Sequence, residues 1–165
     1  MNSFADVKDN SIFAGCDNVF DEIRTLNKVW GNELPPIPVL RPNPIFAMTQ
    51  FDHILSEEMN EFREISLKWQ GTDGYSDLDM LTDLSDWFGD MIVYLVGEAA
   101  KYGIRIEDVV GIIDDSNASK MGPNGEVYRN PTTLKVEKGP NFFRPEPAIN
   151  AYLADLRKNH ETHLV

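Results

Sequence analysis

The chain has 165 residues, 42% of them hydrophobic, a formal charge of −12 and one cysteine, Cys16. Such a chain can build the core of one compact domain, 1–165, and needs neither disorder nor a disulfide-held miniature fold. The charge repels nucleic acid and anionic membranes, so neither is an expected partner, and a phosphorylated ligand would have to bring a metal cation or meet a local cluster of Lys and Arg.

The opening stretch, MNSFADVKDNSIFAG, lacks the basic-then-apolar pattern of an export leader. No apolar run approaches the roughly 18 residues of a membrane span. With the lone thiol, this points to a cytoplasmic location. A first helix is expected over Asp17–Trp30, where Val19, Phe20, Ile23, Leu26 and Trp30 recur at helical spacing and Gly31 ends the pattern. NELPPIPVLRPNP follows, with five prolines in thirteen residues, and must be an extended connector. Pro44 is well placed to begin a second helix, running to about Trp69. The third, about Asp79–Tyr102, is apolar nearly all round, through Leu81, Leu84, Phe88, Met91, Ile92, Leu95 and Ala99, and is therefore expected to be buried among other helices. A fourth helix is expected over about Arg105–Met121 and a polar fifth over about Glu146–Asn159. Between them GPNGEVYRNPTTLKVEKGPNFFRP carries turn signals, so it reads as a loop with at most a short hairpin. The fold class is all-α, a four- to five-helix bundle with a core at about 44–140, an N-terminal helix and proline-rich connector over 1–43, and a tail helix in 141–165. Two such apolar central helices also suit a homo-oligomer, a dimer or tetramer.

Acids interrupt the apolar helices. In ILSEEMNEFREI, Ile54, Leu55, Phe62 and Ile65 share an arc of about a third of the helix circumference. Glu58 sits in the middle of that arc and Glu61 at its edge, while Glu57 and Glu64 turn toward the polar side. The third helix carries Asp83, Asp86 and Asp90 at i, i+3 and i+7, its only polar strip. A buried carboxylate without a partner costs several kcal/mol, and Lys and Arg at matching inward positions are scarce. If the two strips face each other, four or five carboxylates converge and require a divalent cation. Oxygen ligands without clustered His or Cys select Mg²⁺, or Mn²⁺, over Zn²⁺. His53, His160 and His163 do not form the Glu-x-x-His pairs of di-iron bundles.

EEMNE, followed some 25 residues later by DWFGDMIVYLVGEAAKYGI, resembles the all-α nucleoside triphosphate pyrophosphohydrolases: MazG-like enzymes, phosphoribosyl-ATP pyrophosphohydrolase and dimeric dUTPases. DDSNASKMGPNGEVYRN and LKVEKGP are similar to the Ser-Asn-x-Ser-Lys and Lys-Gly-Pro segments of MazG-like proteins of bacteria and phages. The resemblance covers about Ile54–Pro140. It implies Mg²⁺ ligands Glu58 and Glu61 on one helix and Asp86 and Asp90 on the next. MazG itself has Glu three residues before its Asp; that position here is Trp87, which leaves either Asp83 or Asp86 as the first acid. Glu57 or Glu61 would accept a proton from water. By the same resemblance Asn117, Lys120 and Lys138 would contact the phosphates; separately, an aromatic such as Trp30, Trp69 or Tyr94 is expected against the base. The implied reaction converts a nucleoside or deoxynucleoside triphosphate to monophosphate and pyrophosphate. The alternatives are phosphoribosyl-ATP or dUTP as substrate, or a silent bundle that binds metal or nucleotide.

Overall fold

The computed structural model describes residues 11–71 and 73–162, so the reading of the first ten residues and of His163 lies outside the described residues. The fold is all-α, with five α-helices and no strand among the described residues. After a 3₁₀ turn at Ser11–Phe13 come α1 (Val19–Val29), α2 (Pro44–Gly71), α3 (Asp77–Ala100), α4 (Ile106–Ala118) and α5 (Glu146–Thr162). No described helix is long and apolar enough to cross a membrane. The chain divides into two compact units, one ending at Gly103 and the other beginning at Ile104.

Local chemistry sets the helix ends. Asn18, in extended conformation, accepts the Asp21 amide proton at 3.0 Å and starts α1. Asn43 does the same for Phe46 at 3.2 Å, just before Pro44 opens α2. α3 begins two residues earlier than the apolar pattern indicates. The reason is a reciprocal cap: Ser76 Oγ accepts the Asp79 amide at 3.2 Å, and Asp79 Oδ2 accepts the Ser76 amide at 2.8 Å.

In the first unit α3 packs against both α1 and α2. Asn27 of α1 lies over Gly97, where an added Cβ would come within 2.8 Å of the Asn27 amide nitrogen. The proline connector returns to the end of α3, with the Val39 amide donating to Tyr102 O at 3.0 Å. Gly103 turns there at φ +68°, and a Cβ on it would sit 2.1 Å from Ile37 O. Glycine is required at this corner by both conformation and space.

The expectation that α3 is buried on all sides is corrected. Val96, Gly97, Glu98 and Ala100 are buried, but Leu81, Phe88, Ile92 and Leu95 are 59%, 56%, 51% and 46% exposed. Two neighbouring helices cover two sides of a cylinder, and the third is left open. In the second unit α4 and α5 pack together. The segment between them contains a single antiparallel bridge, Arg129 with Val136, so the expected hairpin is reduced to one rung.

Candidate metal and nucleotide site

α2 and α3 run antiparallel. Trp87 Nε1 donates to the Glu58 carbonyl at 2.8 Å, while Lys68, ten residues further along α2, reaches back to Asp83, four residues earlier on α3. Trp87 packs on Phe62 with ring centres 4.6 Å apart and the rings tilted by 42°, which helps fix the offset between the helices. Trp87 is therefore a residue that clamps the two acidic helices.

The clamp turns both acidic strips toward one groove. Glu61, Glu64, Asp83, Asp86 and Asp90 line a cavity of about 290 Å³, together with Ile65, Trp87 and Lys68. Glu58 is only 6% exposed, and its Oε2 has no hydrogen-bond partner. Burial pushes its carboxyl above the usual range, and the charges of Glu61, Asp90 and Glu57 add to that; Tyr94 is the group that opposes the shift. Tyr94 is itself pushed up by burial, then by Glu58 and Asp90. Sequence reasoning thus placed Glu58 correctly as an inward acid. Glu61, in contrast, is exposed at the mouth of the groove, because it lies at the edge of the arc.

The Asp83 carboxylate is engaged by protein groups. Its Oδ2 accepts from Lys68 Nζ at 2.9 Å and from the Tyr75 hydroxyl at 2.8 Å. Lys68 and then Tyr75 hold Asp83 below the ordinary carboxylate range. The expected shortage of basic partners is corrected here, since Lys68 supplies one from beyond the apolar arc. Asp86 and Asp90 remain as the acids of α3 that face Glu61 across the groove. Glu57 points away, its Oε1 3.5 Å from His53 Nε2, and does not line the cavity.

The donors fit a hard divalent cation in chemistry: they are all carboxylates, and one of them is buried with an unpartnered oxygen. They are strung along the groove rather than gathered, and no three Asp, Glu, His or Cys among the described residues stand close enough to hold an ion as they are. Tyr94 also lines a smaller hollow of about 210 Å³ with Asn27, Trp30, Asn32 and Phe51. Trp69 lies elsewhere, edge-on to Tyr75. A larger hollow, about 690 Å³, lies along the connector beside Arg41 and Lys101, away from the acids. Those two cations both bind the buried Glu98, each at 3.1 Å, a cluster that the helical pattern did not single out.

Asn117, Lys120 and Lys138 belong to the second unit. Lys120 Nζ donates to Asn117 Oδ1 at 2.7 Å. The Gly139 amide donates to Lys120 O at 2.9 Å, and a Cβ on Gly139 would be 2.4 Å from that oxygen. Glycine after Lys138 is what lets the LKVEKGP segment dock on the end of α4. Lys138 Nζ lies 4.7 Å from the centre of the Phe142 ring. The two segments singled out in the sequence are therefore brought together with each other.

No protein-family model matches the chain, and no curated protein matches it.

Proposed function

We propose that the chain is a Mg²⁺-dependent pyrophosphohydrolase of the MazG-like type, acting on a nucleoside or deoxynucleoside triphosphate. One observation carries the reading: a buried carboxylate oxygen on Glu58 without a partner, beside a groove lined by five further acids. A protein interior keeps such an oxygen at a cost of about 1–3 kcal/mol, which a bound cation would offset.

Glu58, Glu61, Asp86 and Asp90 would hold the metal, and Mn²⁺ could replace it. When bound, the ion neutralises triphosphate charge and makes water a better nucleophile. Water attacks one phosphorus, the bond to the bridging oxygen breaks, and pyrophosphate leaves with those electrons. Glu61, exposed at the mouth, accepts the proton of the attacking water; Glu57 is less well placed, since it points to His53. Tyr94, Trp30 and the amides of Asn27 and Asn32 line a hollow with the character of a base site.

The same reading includes a homo-oligomer in the cytoplasm. The outer row of α3, Leu81, Ser85, Phe88, Ile92, Leu95 and Ala99, contains no charged residue. A bare row of that length is what a second copy would cover.

The test is release of pyrophosphate from a panel of nucleotides, phosphoribosyl-ATP and dUTP included, with Mg²⁺ or Mn²⁺. No turnover of any of them by the wild type, or unchanged turnover in Glu58→Gln and Asp90→Asn, removes the enzyme reading. Activity confined to phosphoribosyl-ATP or to dUTP selects that alternative.

A further inference from the structure

Among the residues that line the acidic groove, Lys68 is the one cation. It stands seven residues beyond Glu61, on the same face of α2 and about 10 Å along the axis. Across the groove Asp83 stands seven residues before Asp90, so Lys68 and Asp83 form one end and Glu61 with Asp90 the other, next to the buried Glu58 and its neighbour Tyr94. Tyr94 also belongs to the aromatic hollow, which gives the groove a direction. A nucleotide with its base by Tyr94 would send its outer phosphates toward Lys68.

Those phosphates carry the densest negative charge, and five carboxylates surround their path. A cation at the far end is what electrostatics requires. The tie that now occupies Lys68 is weak enough to exchange, because the lysine is half exposed, with 51% of its side chain accessible. Asp83 would not be stranded by the exchange. Its Oδ2 already accepts from Tyr75, whose ionisation is pushed up to about 12 by burial and by Asp83, so the hydroxyl stays a donor. Lysine also suits the part, as a compact charge on a flexible arm.

We propose that Lys68 is the anion-binding residue of the α2–α3 groove, exchanging Asp83 for the terminal phosphates and holding the departing pyrophosphate. This rests on the pyrophosphohydrolase reading for its substrate, but not for its test. Binding of inorganic pyrophosphate in Mg²⁺ buffer is measured by calorimetry on the full chain, for the wild type, Lys68→Gln, Asp83→Asn and the double variant. Lys68→Gln is expected to weaken binding about tenfold, and Lys68→Arg to restore much of it. Asp83→Asn is expected to tighten binding severalfold, because it frees the lysine, and the tightening disappears in the double variant. If Lys68→Gln binds as well as wild type, or both single variants weaken binding alike, the lysine only ties two helices and the proposal is overturned. Tightening that persists in the double variant overturns it too, as a simple field effect of the lost charge. Turnover separates the two claims. A wild type that binds pyrophosphate through Lys68 but turns over no nucleotide keeps this site and loses the enzyme. One that hydrolyses nucleotides with pyrophosphate affinity indifferent to Lys68 does the reverse.

Discussion

Asp83 lines the α2–α3 groove and Glu58 is buried beside it, and the two acids stand in opposite situations. Glu58 is buried with an oxygen that nothing satisfies, and its carboxyl is pushed up by burial and neighbouring acids. Asp83 is reached by Lys68 and Tyr75 and is held below the usual range. Residue type is nearly constant across the groove, so the partner decides whether an acid is available for a metal. The Glu58 end keeps a carboxylate oxygen without a partner, and the Asp83 end carries its own cation, Lys68.

The largest expected effect separates these ends by activity. Asp90→Asn, which removes a carboxylate beside Glu58, should lower turnover by about 100-fold or more. Asp83→Asn should lower it by no more than about fivefold. Steady-state pyrophosphate release measures both, and equal losses would erase the distinction between the ends.

A second contrast is between the inner and outer rows of α3. If the outer row is covered by another copy, Phe88→Glu with Ile92→Glu should shift the wild-type oligomer to monomer in light scattering, with helical circular dichroism retained. A wild type that is monomeric at all concentrations breaks that account.

How far was this legible in the residues? Glu58 was, because Ile54, Leu55, Phe62 and Ile65 define an arc and an acid in its centre has few bland explanations. The five helices were, since proline and glycine punctuate them. Lys68 was not: it lies outside that arc, and its pairing with Asp83 follows from the offset that Trp87 sets by bonding to the Glu58 carbonyl. The bare face of α3 was not legible either. Periodicity reports that a side is apolar, but not whether its cover comes from the same chain. Nor does any local pattern mark the division at Gly103, which depends on the distribution of contacts along the whole chain.

The buried acid also makes a stability prediction, measured without metal. A carboxyl raised above its ordinary value of 4.5 keeps its proton in the folded state at pH values where the unfolded chain has lost it. Below 4.5 both states are protonated and burial of the charge costs nothing; stability then falls as pH rises toward the folded value and levels off beyond it. Glu58→Leu should remove that decline and add about 1–3 kcal/mol at neutral pH, seen in urea unfolding. Mg²⁺ should stabilise the wild type and not the variant. A wild-type profile that rises through this window would contradict the geometry at Glu58.

The smallest effect tests the support behind that end of the groove. Gly97 permits α1 to approach α3 at Asn27, whose amide donates to Ile23 O at 3.0 Å and whose oxygen accepts from Asn32 at 3.0 Å. Both bonds hold the side chain in place, so a methyl group at Gly97, within 2.8 Å of its nitrogen, would force the helices apart rather than turn the amide aside. Helix propensity favours alanine over glycine by about 1 kcal/mol, and overpacking opposes it by about 1–3 kcal/mol. Gly97→Ala should therefore lose about 1 kcal/mol net in urea unfolding, while Gly89→Ala, with open space around the added carbon, should gain stability. Because Asn27 and Gly97 line the same hollow as Tyr94, a shift of α1 should raise KM for the nucleotide more than it lowers kcat. Gly97→Ala that stabilises as Gly89→Ala does would mean the approach is not tight, and Asn27 would lose its place at the edge of the proposed base site.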